Sequence, residues 1–422
     1  MITGYLSYKE TNIPWLGLIP DNWEIKRVKD LADYQSGEYI NSNEFDDDAT
    51  YPVYGGNGFR GLANKYNHNG DYILIGRQGA LCGNINYASG KFWATEHAVV
   101  VYKKKLVNFW WLGEVLRVMN LNQYSLSAAQ PGLSVDKIKR LEVPYPPFEE
   151  QNTIAKYLEA ESYKIEKTIS LLESKASLHR SLSKVIINDT IRKGFTNGKK
   201  TIDSQIERIG LIPNNWKVKR LKDIGYLYSG LTGKTGEDFN QEYTANTKNY
   251  IPFTNIANNK YIDHKDLHTV LFNTNEKQNR VKKDDLFFLM SSESFADIGK
   301  AALLSEDLKD TYLNSFCKGY RVTNKAVSPA YLNYLLNSPS FRERLIVEGK
   351  GFTRINLKME KVNDFKIIIP PLDEQIAIVN YLDEKTKIID VIINNINDQI
   401  INLKKLKVTL FNQVLTGKLK IV

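Results

Sequence analysis

Several stretches of this sequence place hydrogen-bonding or charged side chains where they could do chemistry. Gly233-Lys234-Thr235 matches the end of a phosphate-binding loop, in which a lysine and a hydroxyl meet phosphate oxygens and Mg²⁺. The glycine that such a loop needs five positions earlier is Tyr228, so the cradle of backbone N–H groups is incomplete. Gly76-Arg77-Gln78-Gly79 is different: two glycines permit close backbone approach, and they bracket the side chains that pair bidentately with guanine (Arg77) and adenine (Gln78) edges. A plain hairpin with an exposed polar tip fits the same residues. Asn57, in Tyr54-Gly55-Gly56-Asn57-Gly58, carries the same two readings. Further along, Thr254-Asn255 and Ser291-Ser292-Glu293-Ser294 directly follow strand-like runs, where protruding hydroxyls and amides could meet polar edges. Glu293 fits a helix cap better, and Arg354 suits a phosphate, a base or a solvated loop.

Catalytic combinations fare worse. The Pro-Pro motif with which amino-methyltransferases hold a target amine needs Asp or Asn in front of the prolines. Here Tyr145 precedes Pro146-Pro147 and Ile369 precedes Pro370-Pro371, so neither copy can accept the amine's hydrogen bonds. No glycine-rich methyl-donor loop follows a strand. The two cysteines, Cys82 and Cys317, are too few for a disulfide framework or a zinc site and read as small buried hydrophobes.

Lys+Arg outnumber Asp+Glu by 57 to 48, giving a net charge of +9, which favours a polyanionic partner over an acidic-substrate enzyme. With 422 residues, 42% of them hydrophobic, the chain can build several cores; mean hydropathy is −0.38 and the isoelectric point near 9.1. No run approaches the ~20 apolar residues that a membrane helix requires, and the N-terminus has no apolar leader, so the expected setting is cytoplasmic, without a membrane.

What must position these residues is set by a repeat. Leu16 to Leu31 returns as Ile209 to Ile224, an offset of 193 residues, and the block from Pro146 returns from Pro370, an offset of 224. The edges match closely while the interiors differ, and the second is 31 residues longer. Two copies this far apart exclude a solenoid and imply a domain plus connector, twice, with pseudo-twofold symmetry.

The connectors read as helices. Leu158, Ile165, Leu172, His179 and Ile186 recur every seven residues, with Ile169 and Ala176 alongside; Leu382, Ile389, Ile396, Leu403 and Leu410, with Ile393 and Ile400, repeat the stripe. Such spacing asks for a partner helix, and the chain supplies one itself, which predicts an intramolecular antiparallel coiled coil about 60 Å long at ~1.5 Å per residue. The interiors carry turn signals bounding short runs such as Tyr72 to Ile75, Ala98 to Tyr102, Tyr250 to Phe253, Asp285 to Met290 and Gly319 to Val322. Helical patterns at Phe109 to Met119 and Pro329 to Leu336 make each head strand-rich α+β or mixed α/β.

Leu18-Ile19-Pro20-x-x-Trp23 and Pro146-Pro147-Phe148-Glu149-Glu150-Gln151, repeated as Leu211-Ile212-Pro213-x-x-Trp216 and Pro370-Pro371-Leu372-Asp373-Glu374-Gln375, resemble the type I restriction-modification specificity subunit over essentially the whole chain. The first head also resembles a common target recognition domain of that family through Tyr51 to Gly55, Ile75 to Gly79 and Ala129-Gln130-Pro131-Gly132-Leu133; the last segment becomes Thr353-Arg354-Ile355-Asn356-Leu357 in the second head. The resemblance implies target recognition domains at 1–147 and 199–371 and helical spacers at 148–198 and 372–422. It implies a non-catalytic, DNA-binding chain that reads a bipartite, asymmetric double-stranded target. Two methyltransferase subunits and restriction/translocase subunits would dock on it, bringing S-adenosylmethionine, ATP and Mg²⁺, with no cofactor or metal in this chain. Asn57, Arg77, Gln78, Gln130, Thr254, Asn255, Ser291, Ser292 and Arg354 are then the candidate DNA contacts. The competing readings are a stand-alone DNA methyltransferase or nuclease with two heads, and a twin-headed adaptor for RNA or protein; 24 tyrosines keep base stacking open.

Overall fold

Two prolines in each repeat end a strand and launch a helix, because proline lacks the N–H that a ladder needs but suits a helix's first positions. The strand Glu142–Tyr145 stops before Pro146-Pro147 and the first long helix, Phe148–Lys193, begins. Likewise Lys366–Ile369 gives way to the second, Leu372–Leu415. Glu149 and Glu150, and Asp373 and Glu374, occupy first turns, where negative charge suits the helix dipole. Both helices end at a left-handed glycine, Gly194 (φ 60°) and Gly417 (φ 71°), which suits a residue without a Cβ. At 46 and 44 residues they match the length expected of the connectors.

The computed structural model describes residues 2–421 apart from 80, 126–131, 196–199, 274–275 and 352–353. The chain divides into two units, Met1–Glu173 with Asn397–Val422, and Ser174–Ile396. In the first unit, Ile154, Ala155 and Leu158 of the first helix share a core with Phe411, Val414 and Leu415 of the second, and Lys407 Nζ reaches Glu166 Oε1 at 2.6 Å. In the second unit Ile191 packs with Ile378, Val379 and Leu382. The pairing is antiparallel within each unit. Leu158, Ile165, Ala176, Leu382, Ile389, Ile396 and Ile400 are buried along the seven-residue stripe, each apolar side chain larger than alanine contributing roughly 1.5–3 kcal/mol when fully buried. His179 is half-buried at the stripe's edge.

The two heads, unlike in sequence, share one topology. In the first, the strands Ala32–Ser36, Ala98–Lys103, Tyr72–Gly76 and Ile85–Ala88 form an antiparallel sheet in that order. In the second, Gly225–Ser229, Cys317–Val322, Leu286–Leu289 and Ala301–Leu303 repeat it. Beside each lies a second sheet with one parallel pair, four-stranded in the first head and three-stranded in the second: Tyr51–Gly55 with Lys91–Ala94, and Thr247–Ile251 with Thr311–Leu313. Each head is closed onto its frame by an antiparallel pair, Glu24–Arg27 with Glu142–Tyr145 and Lys217–Arg220 with Lys366–Ile369. Matching hydrogen bonds, Thr95 N to Tyr54 O and Asn314 N to Ile251 O, locate the extra length of the second head. The offset between equivalent residues climbs from 197 to 219 between those two positions: the helix Phe253–Asn258 is added before His268–Leu271, which pairs with Thr247–Ile251 as Gly58–Ala63 pairs with Tyr51–Gly55.

The polar residues that mimic enzyme motifs are spent on structure. Lys234 is buried, its ammonium 2.5 Å from Glu276 Oε2 and 2.6 Å from Leu271 O, so it holds a loop rather than a phosphate. Tyr145 donates to Leu106 O at 2.8 Å, and Cys82 and Cys317 are free and buried. In the second head, Asp285 takes a two-pronged ion pair from Arg321, with both N–O distances 2.7 Å, and a 2.6 Å bond from the Tyr228 hydroxyl. Burial, then Asp285's charge, holds the Tyr228 phenol far above its ordinary range.

Candidate nucleic-acid interface

The interface is built outward from a buried amide. Gln151, fully buried, donates to Pro146 O at 2.9 Å and accepts from Asn108 N at 3.0 Å, tying the start of the first long helix to the cap of the head helix Phe109–Val118. Gln375, equally buried, donates to Pro370 O at 2.8 Å and Ala326 O at 2.9 Å and accepts from Ser328 N at 2.8 Å, at the cap of Pro329–Asn337. The Gln of the repeated motif is thus a staple between head and connector. Sequence reasoning marked the motif but not this role.

From that anchored base, one hairpin loop in each head meets the segment that returns to the frame. In the first head the loop after Tyr72–Gly76 carries Arg77 and Gln78; Leu133 N donates to Arg77 O at 2.9 Å, and Gln78 bridges to Gly132. In the second, the loop after Leu286–Leu289 carries Ser291 and Ser292, Leu357 N donates to Met290 O at 2.9 Å, and Ser291–Ser292 pairs with Ile355–Asn356. Both loops close on a left-handed glycine, Gly83 (φ 86°) and Gly299 (φ 69°). A side chain from beneath braces each: Asn122 Nδ2 to Cys82 O at 3.0 Å, and Arg342 Nη2 to Ala296 O at 3.0 Å. Burial lowers the Arg342 pKa to about 10, and its Nη1 is buried without a hydrogen-bond partner.

The equivalence orders the candidates. Asn57 and Thr254 stand three residues beyond Tyr54 and Ile251, which accept matching bonds; Gln78 and Ser291 lie opposite Gly132 and Asn356; Gln130 and Arg354 are separated by the frame's own offset of 224. In the first head Gly56 lies against the backbone of Gln78 and His97, and a Cβ on Gly76 would stand 2.0 Å from Gly56 O, so these glycines interlock two loops. Asn57 is exposed and accepts from Asn84 Nδ2 at 3.0 Å, and Asn86, whose Nδ2 is buried without a partner, lies beside Gly58. The structure therefore adds Asn84 and Asn86 to an amide cluster that includes Asn57. Gln78 is exposed, whereas Arg77 is half-buried with Nη1 3.3 Å from Ser36 Oγ.

Two candidates in the second head are corrected. Asn255 is fully buried: its amide nitrogen donates to Asp263 O (2.8 Å) and Asp266 O (2.7 Å), and its oxygen accepts from Asp263 N (3.0 Å), so it has nothing left for a base. It sits on a helix rather than a loop, with Thr254 exposed one residue earlier. Ser292 is buried, its hydroxyl accepting from Ser294 N at 3.0 Å, while Ser291, facing the other way along the strand, is half-exposed. Arg354 is exposed, its guanidinium 4.8 Å from the centre of the Phe316 ring. Gln130 lies outside the described residues.

Among the described residues no group of three or more His, Cys, Asp or Glu could hold a metal, and no helix is long and apolar enough to cross a membrane. Duplicated strand-rich heads, each presenting polar loop tips braced from below, define a recognition protein. The family model for the type I restriction modification DNA specificity domain matches twice, at residues 20–173 and 213–402, so the chain belongs to that family, whose members recognise DNA and leave catalysis to partner subunits. The type I restriction enzyme EcoprrI specificity subunit of Escherichia coli is 41% identical over 138 residues, about a third of either chain (32% of this one, 34% of that). The MjaVIII specificity subunit of Methanocaldococcus jannaschii is 23% identical over 435 residues, covering 98% of this chain and 97% of that one. Among solved structures, a chain from work on complex assembly and conformational transition of the type I R-M system superposes with a TM-score of 0.71 at 15% identity, covering 95% of this chain and 99% of that chain. The HsdS subunit from Thermoanaerobacter tengcongensis does so at 0.53 and 13%, covering 95% and 98%. The fold class and the DNA-recognition reading stand, and membership removes the stand-alone methyltransferase or nuclease.

Proposed function

We propose that each head reads one half of a bipartite, asymmetric DNA target through its hairpin loop and return segment, and that the paired long helices set the distance between the halves. The observation that carries this is the coincidence of positions with a difference of side chains: Asn57 against Thr254 and Gln78 against Ser291 on one topology. Equal placement makes two readers of the same kind, and unequal chemistry makes them prefer different bases. In this reading residues 1–147 and 199–371 are the recognition domains and 148–198 and 372–422 the spacers. Two methyltransferase subunits dock on the duplicated frame and methylate adenines, and restriction subunits add ATP-driven cleavage; S-adenosylmethionine, ATP and Mg²⁺ belong to them. The complex works in the cytoplasm, where its DNA is.

Co-expression with a cognate methyltransferase subunit and long-read methylome sequencing tests it. The expected result is adenine methylation within a split, asymmetric motif and none from this chain alone. A continuous palindromic motif, or methylation by the chain by itself, refutes the proposal.

A further inference from the structure

Arg354 combines three features that no other candidate shares. It is exposed, it makes no ion pair with a described residue, and its guanidinium lies 4.8 Å from the centre of the Phe316 ring, itself 47% exposed. Phe316 is fixed from behind: its carbonyl accepts from Met290 N at 3.4 Å, its own N–H donates to Asn314 Oδ1 at 2.9 Å, and the strand Cys317–Val322 begins at the next residue. Arg354 is held at its other end, since Ile355 is buried, Asn356 pairs with Ser291, and Asn356 Nδ2 donates to Arg354 O at 3.2 Å. The ring contact restricts the guanidinium while leaving its N–H donors without a carboxylate to satisfy them.

A cation held against an aromatic ring loses little rotamer freedom when it binds, and Arg presents a planar fork where Lys presents a point charge. The DNA surface that matches a planar pair of donors is the O6/N7 edge of guanine in the major groove. A phosphate can take the same fork bidentately, so it is the place of Arg354 in the head, more than the shape of its guanidinium, that favours a base. Arg354 also lies one residue from the pairing with the Ser291 loop, among groups able to meet base edges.

We infer that Arg354 reads a guanine in the half-site bound by the second head, with Phe316 as the residue that positions it. This rests on the two-reader proposal above. Phe316 is equivalent to His97 of the first head, whose carbonyl accepts from Arg77 N, so the phenyl ring at this position belongs to the second head.

The test uses the chain assembled with its cognate methyltransferase subunits and a duplex set carrying every single-base change in the wild-type target, measured by equilibrium binding at several salt concentrations. Wild type should show a G·C preference of roughly ten- to a hundredfold at one position, in the half not affected by Arg77→Ala. Arg354→Ala and Arg354→Lys should both abolish that preference and leave the other positions alone. Phe316→Leu should weaken it, and Phe316→Tyr should preserve it. The inference is overturned if Arg354→Lys retains the preference, if Arg354→Ala weakens binding uniformly and lowers the salt-dependence slope by about 0.9, as a lost phosphate contact would, or if that half-site contains no guanine. It is also overturned if Phe316→Leu leaves the preference intact. A wild-type complex with no split target would instead sink the two-reader proposal, independently of any Arg354 variant.

Discussion

Replacing Gln375 with Leu keeps a side chain of similar size and removes three hydrogen bonds at once. The acceptors Pro370 O and Ala326 O and the donor Ser328 N then lose their partner, at distances that are now 2.8–2.9 Å. Leaving Pro370 O and Ser328 N unmet costs about 1–3 kcal/mol each, Ala326 O less because that residue is exposed and water can replace the amide, and the new apolar surface returns part, so the expected loss is about 3–5 kcal/mol. Gln151→Leu strands two groups, Pro146 O and Asn108 N, and should cost about 2–4 kcal/mol. Because the residues lie in different units, a single global unfolding curve would blur them. Hydrogen exchange read by mass spectrometry separates them. For Gln375→Leu, amides of Pro329–Asn337 and the first turns of Leu372–Leu415 should lose roughly two to three and a half orders of magnitude of protection, while those of Phe109–Val118 stay unchanged. Losses below tenfold in both variants, or a larger effect from Gln151 than from Gln375, would refute the assignment of these amides as staples.

Three further outcomes are expected. Gly83→Ala, which combines a left-handed backbone with a Cβ 2.6 Å from Asn122 N, should disturb first-half-site recognition and lower thermal stability more than Gly79→Ala, whose φ is 88° but whose Cβ would meet nothing within 4 Å. Arg77→Ala should change recognition in one half-site only, measured on duplexes altered in each half; equal loss in both would count against a base-reading role. In alkaline titration, Tyr34, Tyr228, Tyr331 and Tyr334 are held protonated in the folded chain, chiefly by burial. Unfolded tyrosine releases its proton near pH ~10, so their contribution to stability is full below that pH and is lost as pH rises toward their folded values. Tyrosinate absorbance should therefore rise in two stages, the second coinciding with loss of circular dichroism. A single stage that includes all 24 tyrosines while the dichroism stays native would contradict this.

The long helices were readable because a seven-residue stripe and paired prolines survive any tertiary context. The runs Tyr72 to Ile75 and Ala98 to Tyr102 became strands because β-branched and aromatic residues suit a buried pleat. The common topology of the heads was not readable: it resides in backbone ladders such as Leu133 N to Arg77 O and Leu357 N to Met290 O, which constrain side-chain identity weakly. At Asn255 and Ser292 polarity does not mean exposure. A helical start at Phe253 turns Asn255 inward, and strand alternation turns Ser292 away from Ser291. Gln151 and Gln375 were missed as structural for the same reason, since a fully buried glutamine is uncommon. Phe316 had no signal, because its partner lies 38 positions away in an unrelated element.

The repetition of the edges has a consequence for how each head is held. Both staples grip backbone groups, a proline carbonyl and a cap N–H, so this hold of each connector on its head does not depend on the head's side chains. The stretches Leu16 to Leu31 and Ile209 to Ile224, and those from Pro146 and Pro370, repeated around unlike interiors, are the part of each repeat that can stay constant while the surface it carries changes.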